Sequence, residues 1–330
     1  MAVTLADITK LRKLTGAGMM DCKNALTETN GDVEKAIEII RKKGQAVAAK
    51  RSDRDASEGC VLVKSVGEFA AMVALKCETD FVAKNADFVA LTQQILDAAI
   101  ANKCKTLEEV KALPLGDGTV QDAVIARSGI TGEKMELGEY LTVEGAYTAV
   151  YNHQGKNILC TMAAFNKVAD EEAAHEVAMQ IAAMNPIAVD QDSVPQKVKD
   201  TEFVVAVEKT KEEQVAKAVQ AALKKAGFNL YIAENEEHIA EGISKKEITE
   251  AQADEIRKIK REVAEQKAAN LPEQMVQNIA KGRMAKFFKD VCLVEQASIM
   301  DGAITVGEML KKADPELKVL DFKRFTLRAE

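Results

Sequence analysis

The residue types that most often carry enzyme chemistry are few and scattered in this sequence of 330 residues. Its three histidines, His153, His175 and His238, are not spaced as a metal-binding pair or as an HExxH motif. The sequence also contains neither the GxxxxGKS/T phosphate-binding loop nor the GxSxG nucleophile elbow. These patterns favour a protein that is not an enzyme and that uses no cofactor or metal.

Cysteine usage indicates a reducing compartment. None of the six cysteines belongs to a CxxC pair, and so sparse a set is typical of buried or free thiols. They are Cys22, Cys60, Cys77, Cys104, Cys160 and Cys292. Cys77 is the best candidate for a reactive thiol, although it ends an apolar segment, where a buried structural thiol is the commoner case. A thiol enzyme using Cys77 is one alternative to test.

An acidic and an aromatic residue stand side by side in Thr79-Asp80-Phe81-Val82. This segment connects a predicted strand that ends at Cys77 with a predicted helix. The phenyl ring could fold back over the core, or it could project as an anchor for a pocket in a partner. Burial in such a pocket contributes roughly 1.5–3 kcal/mol, which changes an equilibrium about tenfold or more. The residues alone leave both interpretations open.

Charge and composition argue against two classes of partner. The formal net charge is −7, with 45 basic against 52 acidic residues, whereas nucleic-acid backbones attract basic faces. The N-terminus lacks the apolar stretch of a signal peptide, and no run approaches the ~20 apolar residues that span a bilayer. We therefore expect a soluble, cytoplasmic protein that binds neither nucleic acid nor membrane.

The N-terminal 45 residues have the pattern of three short helices. Apolar residues recur every third position from Leu5 to Leu14, which marks one face of a helix. A second helix is predicted over 19–28, and Asp32 is a favourable N-cap for a third helix that Gly44 should end. The polar residues that follow predict a partly mobile linker.

The next part of the chain has two similar halves, which suggests an internal duplication. Each half begins with two apolar runs around a glycine-containing turn and continues into an amphipathic helix. The C-terminal strand is expected to complete the second sheet. The predicted strands are 60–66, 69–77, 135–143, 147–151, 158–165 and 320–327, and the predicted helices are 86–101, 120–127, 171–184 and 305–313.

Two further patterns separate the second half from the C-terminal tail. The first predicts a small inserted α/β unit with strands at 202–207 and 228–233 around a helix at 211–226. The second begins with a capping-box sequence at 244–247 and predicts two helices with narrow apolar seams, 246–268 and 272–288. Such a pair is typical of a protruding antiparallel hairpin.

Together these elements predict an α+β fold with an N-terminal three-helix bundle, a duplicated α/β core with antiparallel sheets and a protruding helical hairpin. The predicted units are the bundle (1–45), the linker (46–58), the first core half (59–145), the second core half (146–198 and 289–330), the inserted α/β unit (199–243) and the hairpin, a coiled-coil arm (244–288).

Three strings give the sequence a resemblance to a known family. LRKLTGAGMMDCKNAL at 11–26, TDFVAKN at 79–85 and GRMAKF at 282–287 are similar to motifs of the elongation factor Ts family. With the order of bundle, linker, duplicated core and hairpin, the resemblance covers most of the chain. It implies a ubiquitin-associated-like bundle and a guanine nucleotide exchange factor of translation, whose partner is the GTPase elongation factor Tu.

The resemblance also implies roles for individual residues. The family's TDFV segment, here Thr79, Asp80, Phe81 and Val82, enters the GTPase domain beside the phosphates of the nucleotide. Phe81 would wedge into an apolar pocket and Asp80 would make polar contacts, which together disturb the Mg²⁺ site and weaken GDP binding. Met19 and Met20 are also compatible with packing inside the bundle. Secondary contact positions matched by the resemblance are Arg12, Met19, Met20, Lys23, His153, Ile299 and Met300.

One segment departs from the usual bacterial pattern of the family. Residues 199–243 are additional, and within them Thr201–Val204 imitates TDFV. Phe203 is expected in a buried strand. The second core half has Phe165-Asn166-Lys167 where the first has the Asp-Phe pair, so the active surface is expected only in the first half. The alternative function is a non-exchange adaptor that binds other proteins through its bundle and coiled-coil arm. Whether the arm contacts the partner or a second copy in a homodimer stays open.

Overall fold

The computed structural model of the chain describes residues 3–328. It contains two compact units, one formed by the chain up to Val189 and from Gln296 onward, the other by Asp190–Glu295. The combination of helices with antiparallel sheets confirms the α+β class. None of the helices within residues 3–328 has the length and apolarity to cross a bilayer.

The first unit begins with a three-helix bundle, as the apolar spacing predicts. Its helices are α1 (Leu5–Thr15), α2 (Met19–Glu28) and α3 (Val33–Lys50). Leu11, Cys22 and Leu26 are fully buried at its centre. Gly16 ends α1 in the left-handed region, at a φ of +70° that glycine adopts without strain.

A three-stranded antiparallel sheet follows, in the order β1 (Glu58–Val66), β2 (Phe69–Cys77) and β5 (Met135–Glu144). α5 (Ala86–Ala101) packs on one face of this sheet, where Phe88 and Ile95 are fully buried. The elements between β2 and β5 are α4 (Asp80–Ala83), α5 (Ala86–Ala101), α6 (Leu107–Ala112), β3 (Pro114–Leu115), β4 (Gly118–Thr119) and α7 (Val120–Thr131).

The second half repeats this plan. β6 (Tyr147–Asn152), β7 (Leu159–Phe165) and β8 (Val319–Thr326) form an antiparallel sheet in that order, which confirms that the C-terminal strand completes it. α8 (Glu171–Met184) covers one face of this sheet, and the other faces the first sheet, with Met72 and Met162 buried between them. The resulting layers are helix, sheet, sheet and helix. α13 (Val306–Ala313) precedes β8.

The prediction that α3 ends at Gly44 is wrong, because the helix continues to Lys50. Gly44 lies against α7, where the Cα atoms of Ala126 and Gly129 are 3.7 Å from the position a Cβ of Gly44 would take. Gly44 therefore lies at a contact between two helices and does not cap α3. The end of α3 occupies the first part of the predicted linker.

The second unit is helical, so the two strands predicted for residues 199–243 are wrong. Its helices are α9 (Gln196–Lys225), α10 (Glu236–Ser244), α11 (Glu250–Ala269) and α12 (Glu273–Val291). The β-branched run at 202–207 lies inside α9, and 228–233 forms turns. A short apolar run cannot be assigned by its periodicity, and here packing along one face of a long helix outweighs local strand propensity.

The sequence predicts that the two hairpin helices pack mainly against each other, and this pairing also needs correction. α11 and α12 both pack against α9. Leu223 near the end of α9 shares a core with Ile256 of α11, whereas Glu213 in its middle pairs with Arg283 of α12 at 2.6 Å. α9 therefore runs antiparallel to α11 and then to α12. The predicted capping box at 244–247 is replaced by one at Thr249 and Gln252.

Candidate functional site

Phe81 lies on α4, a single helical turn that follows the end of β2. The turn begins at Thr79, whose Oγ1 accepts a hydrogen bond from the Val82 N–H at 3.4 Å. Val82 and Ala83 face inward and pack against the core beneath α5. The Phe81 side chain points outward and is 84% exposed. The ring is therefore not a lid over its own core.

Asp80 is the polar neighbour of this ring. Its carboxylate accepts a hydrogen bond from Lys84 Nζ at 2.6 Å, one helical turn further on. This bond is the main cause that lowers the pKa of Asp80 below its ordinary value. Because the Lys84 side chain is largely in solvent and that of Asp80 is half-exposed, the pair is open to exchange for other partners. The turn thus presents an apolar ring flanked by a negative charge.

Two carboxylates attach this turn to the start of β5. Glu133 accepts from the Thr79 N–H at 3.1 Å and from the Thr79 hydroxyl at 2.7 Å. Reciprocally, Glu78 accepts from the Lys134 N–H at 2.6 Å. We call Glu78 and Glu133 the carboxylate clamp. Sequence reasoning missed it, because its members are 55 residues apart and no local spacing relates them.

Glu78 also fixes the segment after α3. Arg51 and Arg54 donate to its two carboxylate oxygens at 3.0 and 2.9 Å, and Lys134 Nζ donates to the Arg54 carbonyl at 2.9 Å. The hydrogen bond from the Lys134 N–H, together with both guanidinium groups, lowers the pKa of Glu78 from 4.5 to about 2. The predicted partly mobile linker is thus tied to the core at Arg51 and Arg54.

The four matched residues of the bundle lie on its surface. Arg12 is exposed near the end of α1, and Met19, Met20 and Lys23 are exposed on the first turns of α2. The two methionines are therefore not core residues, which answers the question that the sequence leaves open. They form an apolar pair beside a lysine.

His153 lies in a single 3₁₀ turn, His153–Gly155, that joins β6 to β7. Its imidazole is exposed, and its Nδ1 is 3.2 Å from the Tyr151 hydroxyl. The Tyr151 ring also meets His175 edge-on, with the ring centroids 5.5 Å apart. Neither histidine belongs to a group of potential metal ligands in the described part of the chain.

Ile299 and Met300 are exposed in the segment that leads to α13. The buried Gln180 of α8 holds this segment through two bonds. Its Oε1 accepts from the Ile299 N–H at 2.8 Å, and its Nε2 donates to the Ala297 carbonyl at 3.1 Å. Gln180 is a second residue that sequence reasoning missed. Its only local signal is a polar side chain three positions after the core residue Val177.

All six cysteines are buried and free. Burial is the main cause that raises the pKa of Cys77 and of Cys160 to about 12, and that of Cys60 and of Cys292 to about 11. Thiolates are the nucleophilic form, so these environments disfavour thiol chemistry. Exposed features that could act on another molecule include the Phe81 turn and the apolar pairs on α2 and at 299–300.

Comparison with known proteins shows one family across the chain. The family model described as "Elongation factor TS" matches residues 78–235 and 232–329. The chain is 69% identical over 330 residues to elongation factor Ts of Phocaeicola vulgatus and 68% identical to that of Bacteroides thetaiotaomicron. It is 45% identical over 331 residues to that of Porphyromonas gingivalis. Each alignment covers all of both chains, so these relatives share residues 199–243.

Proposed function

The chain belongs to the elongation factor Ts family, and from this membership we propose that it is a guanine nucleotide exchange factor of translation elongation. It binds the GDP-bound form of elongation factor Tu, displaces Mg²⁺ and promotes the release of GDP, so that GTP can bind. It performs no covalent chemistry and works in the cytoplasm. The bundle is a ubiquitin-associated-like domain, and the helices of the second unit form a coiled-coil arm.

The exposure of Phe81 is the observation that supports this mechanism most directly. An aromatic ring that is 84% exposed gains roughly 1.5–3 kcal/mol when a partner buries it. Its backbone is already helical without a partner, so little of that energy is lost in ordering the turn. Phe81 is therefore suited to enter an apolar pocket of the GTPase domain.

Asp80 supplies the polar part of the contact. Its ion pair with Lys84 can be exchanged for polar groups of the GTPase near the phosphates of the nucleotide. These contacts of the Asp80 carboxylate then disturb the Mg²⁺ site. Thr79 and Val82 hold the turn from either side. Losing Mg²⁺ leaves the phosphate charges of GDP without their counter-ion, so GDP binds more weakly. Thermodynamic linkage makes the effect reciprocal. Nucleotide with Mg²⁺ must weaken the binding of this protein to the GTPase by the same factor by which this protein weakens nucleotide binding.

The other matched residues form secondary contacts in this proposal. Each apolar pair, on α2 and at 299–300, lies in solvent beside polar groups, which is the composition of an interface patch. His153 contributes from the turn between β6 and β7. The residues assigned to secondary contacts are Arg12, Met19, Met20, Lys23, His153, Ile299 and Met300.

The test is release of fluorescent GDP from elongation factor Tu in the presence of Mg²⁺. The wild-type chain should accelerate release, and Phe81→Ala should lower the acceleration about tenfold or more. Phe203→Ala is the matched control, because the same ring is removed from the imitation sequence in α9, and it should change the rate less than about twofold. Binding without acceleration by the wild-type chain would favour the adaptor function instead.

A further inference from the structure

We propose that Glu133 is a positioning residue for nucleotide exchange, which acts by holding the Phe81 turn in its binding conformation before the partner arrives. This inference rests on the exchange function proposed above. It concerns the carboxylate clamp, in which Glu133 and Glu78 bind opposite sides of the junction between β2 and β5.

The turn that carries Phe81 needs support from outside itself. α4 has four residues, and a helix of one turn is unstable alone because nucleation fixes several dihedral angles for a single hydrogen bond. Its own cap is weak, since the Val82 N–H lies 3.4 Å from the Thr79 hydroxyl. Inward packing of Val82 and Ala83 holds one side only, so the direction of Phe81 depends on how Thr79 is held.

Glu133 holds Thr79 at two points. One carboxylate oxygen accepts from the backbone N–H and the other from the hydroxyl, at 3.1 and 2.7 Å. Two bonds to one residue restrict both the backbone and the side-chain rotamer, and hydrogen bonds to a charged acceptor are stronger than neutral ones. The hydroxyl proton is directed to Glu133, which leaves an oxygen lone pair free to cap Val82.

Glu133 is itself rigidly placed. α7 ends at Gly132, which has a φ of +72°, and this left-handed residue turns the chain toward β5. The buried Ser128 hydroxyl donates to the Glu133 carbonyl at 2.5 Å, and the Glu133 N–H donates to Thr131 Oγ1 at 3.3 Å. The carboxylate is therefore carried by a fixed backbone, which a positioning residue requires.

The second carboxylate repeats the arrangement in the opposite direction. The β2–β5 ladder ends with the pair Cys77 and Met135. Beyond it Glu78 binds the Lys134 N–H, and Glu133 binds the Thr79 N–H. Side-chain bonds thus continue the strand pairing for two more residues on each strand. The sheet transmits its rigidity to Thr79, the residue directly before Asp80 and Phe81.

The experiment measures GDP release from elongation factor Tu as a function of factor concentration. Glu133→Ala removes both acceptors and should lower the maximal acceleration about tenfold. Glu133→Gln retains one acceptor oxygen and should give an intermediate rate. Glu68→Ala is the control, since it removes an exposed carboxylate from the β1–β2 turn, and it should release GDP as the wild-type chain does.

A double-mutant cycle separates positioning from general damage. If Glu133 acts through Phe81, then Glu133→Ala should lower the rate less than about twofold in a Phe81→Ala background. An equal loss in both backgrounds, or no loss in the wild-type background, would overturn the proposal.

Amide hydrogen exchange tests the clamp independently of the partner. Glu133→Ala should speed exchange at Thr79 and Val82 about tenfold or more while leaving the β1–β2 pairing protected. Unchanged protection at these amides would overturn the inference. If the wild-type chain failed to accelerate GDP release, the exchange function would be wrong, and the inference would be overturned with it even if the amides responded.

Discussion

Gly44 of α3 and Gly129 of α7 meet so closely that a Cβ on Gly129 would lie 2.4 Å from the Cα of Gly44. Real Cβ atoms do not approach backbone atoms so closely, so position 129 needs glycine or a displaced helix. An ion pair between Arg41 and Asp122, at 3.0 Å, lies on the same two helices. The bundle is therefore docked on the core through α7.

This contact predicts that Gly129→Ala destabilises the protein by about 1–3 kcal/mol, because α3 must move to admit the methyl group. The effect opposes the gain of up to about 1 kcal/mol that alanine normally brings to a helix interior. Gly282→Ala in α12 is the matched control, since nothing lies near its Cβ position, and it should stabilise slightly. Urea unfolding followed by circular dichroism measures both. Equal effects of the two variants would contradict the packing argument.

The hydrogen bonds of Gln180 lead to a second prediction, which concerns the segment that carries Ile299 and Met300. Gln180→Leu leaves the Ile299 N–H and the Ala297 carbonyl without their partner, at a cost of about 1–3 kcal/mol in the free energy of unfolding. Affinity for elongation factor Tu should fall as well, measured by calorimetry. Gln121→Leu on the exposed face of α7 is the control and should change stability by less than about 0.5 kcal/mol. A stability of Gln180→Leu equal to that of the control would show that these bonds contribute nothing.

Glu78 predicts a pH dependence of stability. Folding lowers its pKa from 4.5 to about 2, so its stabilising effect is complete above about pH 5 and is lost as the pH falls toward 2. Glu78→Gln should therefore unfold more easily than the wild-type chain at pH 7, and the difference should shrink between pH 5 and pH 2. Urea unfolding at intervals across this range measures it, with Glu68→Gln as the control for charge. A difference that stays constant with pH would contradict the assigned cause.

The buried thiols predict slow modification of the native protein. With pKa values raised to about 11 or 12 for Cys60, Cys77, Cys160 and Cys292, the thiolate is scarce at pH 8. Ellman's reagent should titrate six thiols in denaturant and react at least about 100-fold more slowly with the native chain. Cys77→Ser should keep full exchange activity. Loss of activity in that variant would restore the thiol-enzyme alternative.

Local patterns predicted several elements with the bounds that the structure has. The helices at 86–101 and 171–184 agree with α5 and α8. Asn85 and Asp170 cap them, and each has an apolar face of helical period, so propensity, capping and burial agree within one short segment. The β1–β2 hairpin was also predictable from local sequence, because two apolar runs flank a turn at Gly67, which adopts a φ of +63°.

Tertiary structure decided features that join distant parts of the chain. The β-branched run in α9 is helical because one face of that helix packs on α11 and α12, which lie beyond it in sequence. Gly44 lies inside α3, at its contact with Gly129 of α7, which local sequence does not show. Glu133 meets Thr79 because β5 pairs with β2.

The sequence by itself determined the α+β class, the order of most elements and, through its motifs, the family. Only the tertiary structure decided that the Phe81 ring lies in solvent and that a carboxylate from another loop holds its turn. The physical reason is the distance along the chain over which each kind of interaction acts. Helix caps, turns and apolar periodicity act over a few residues, whereas burial and hydrogen bonding depend on which distant segments the fold brings together.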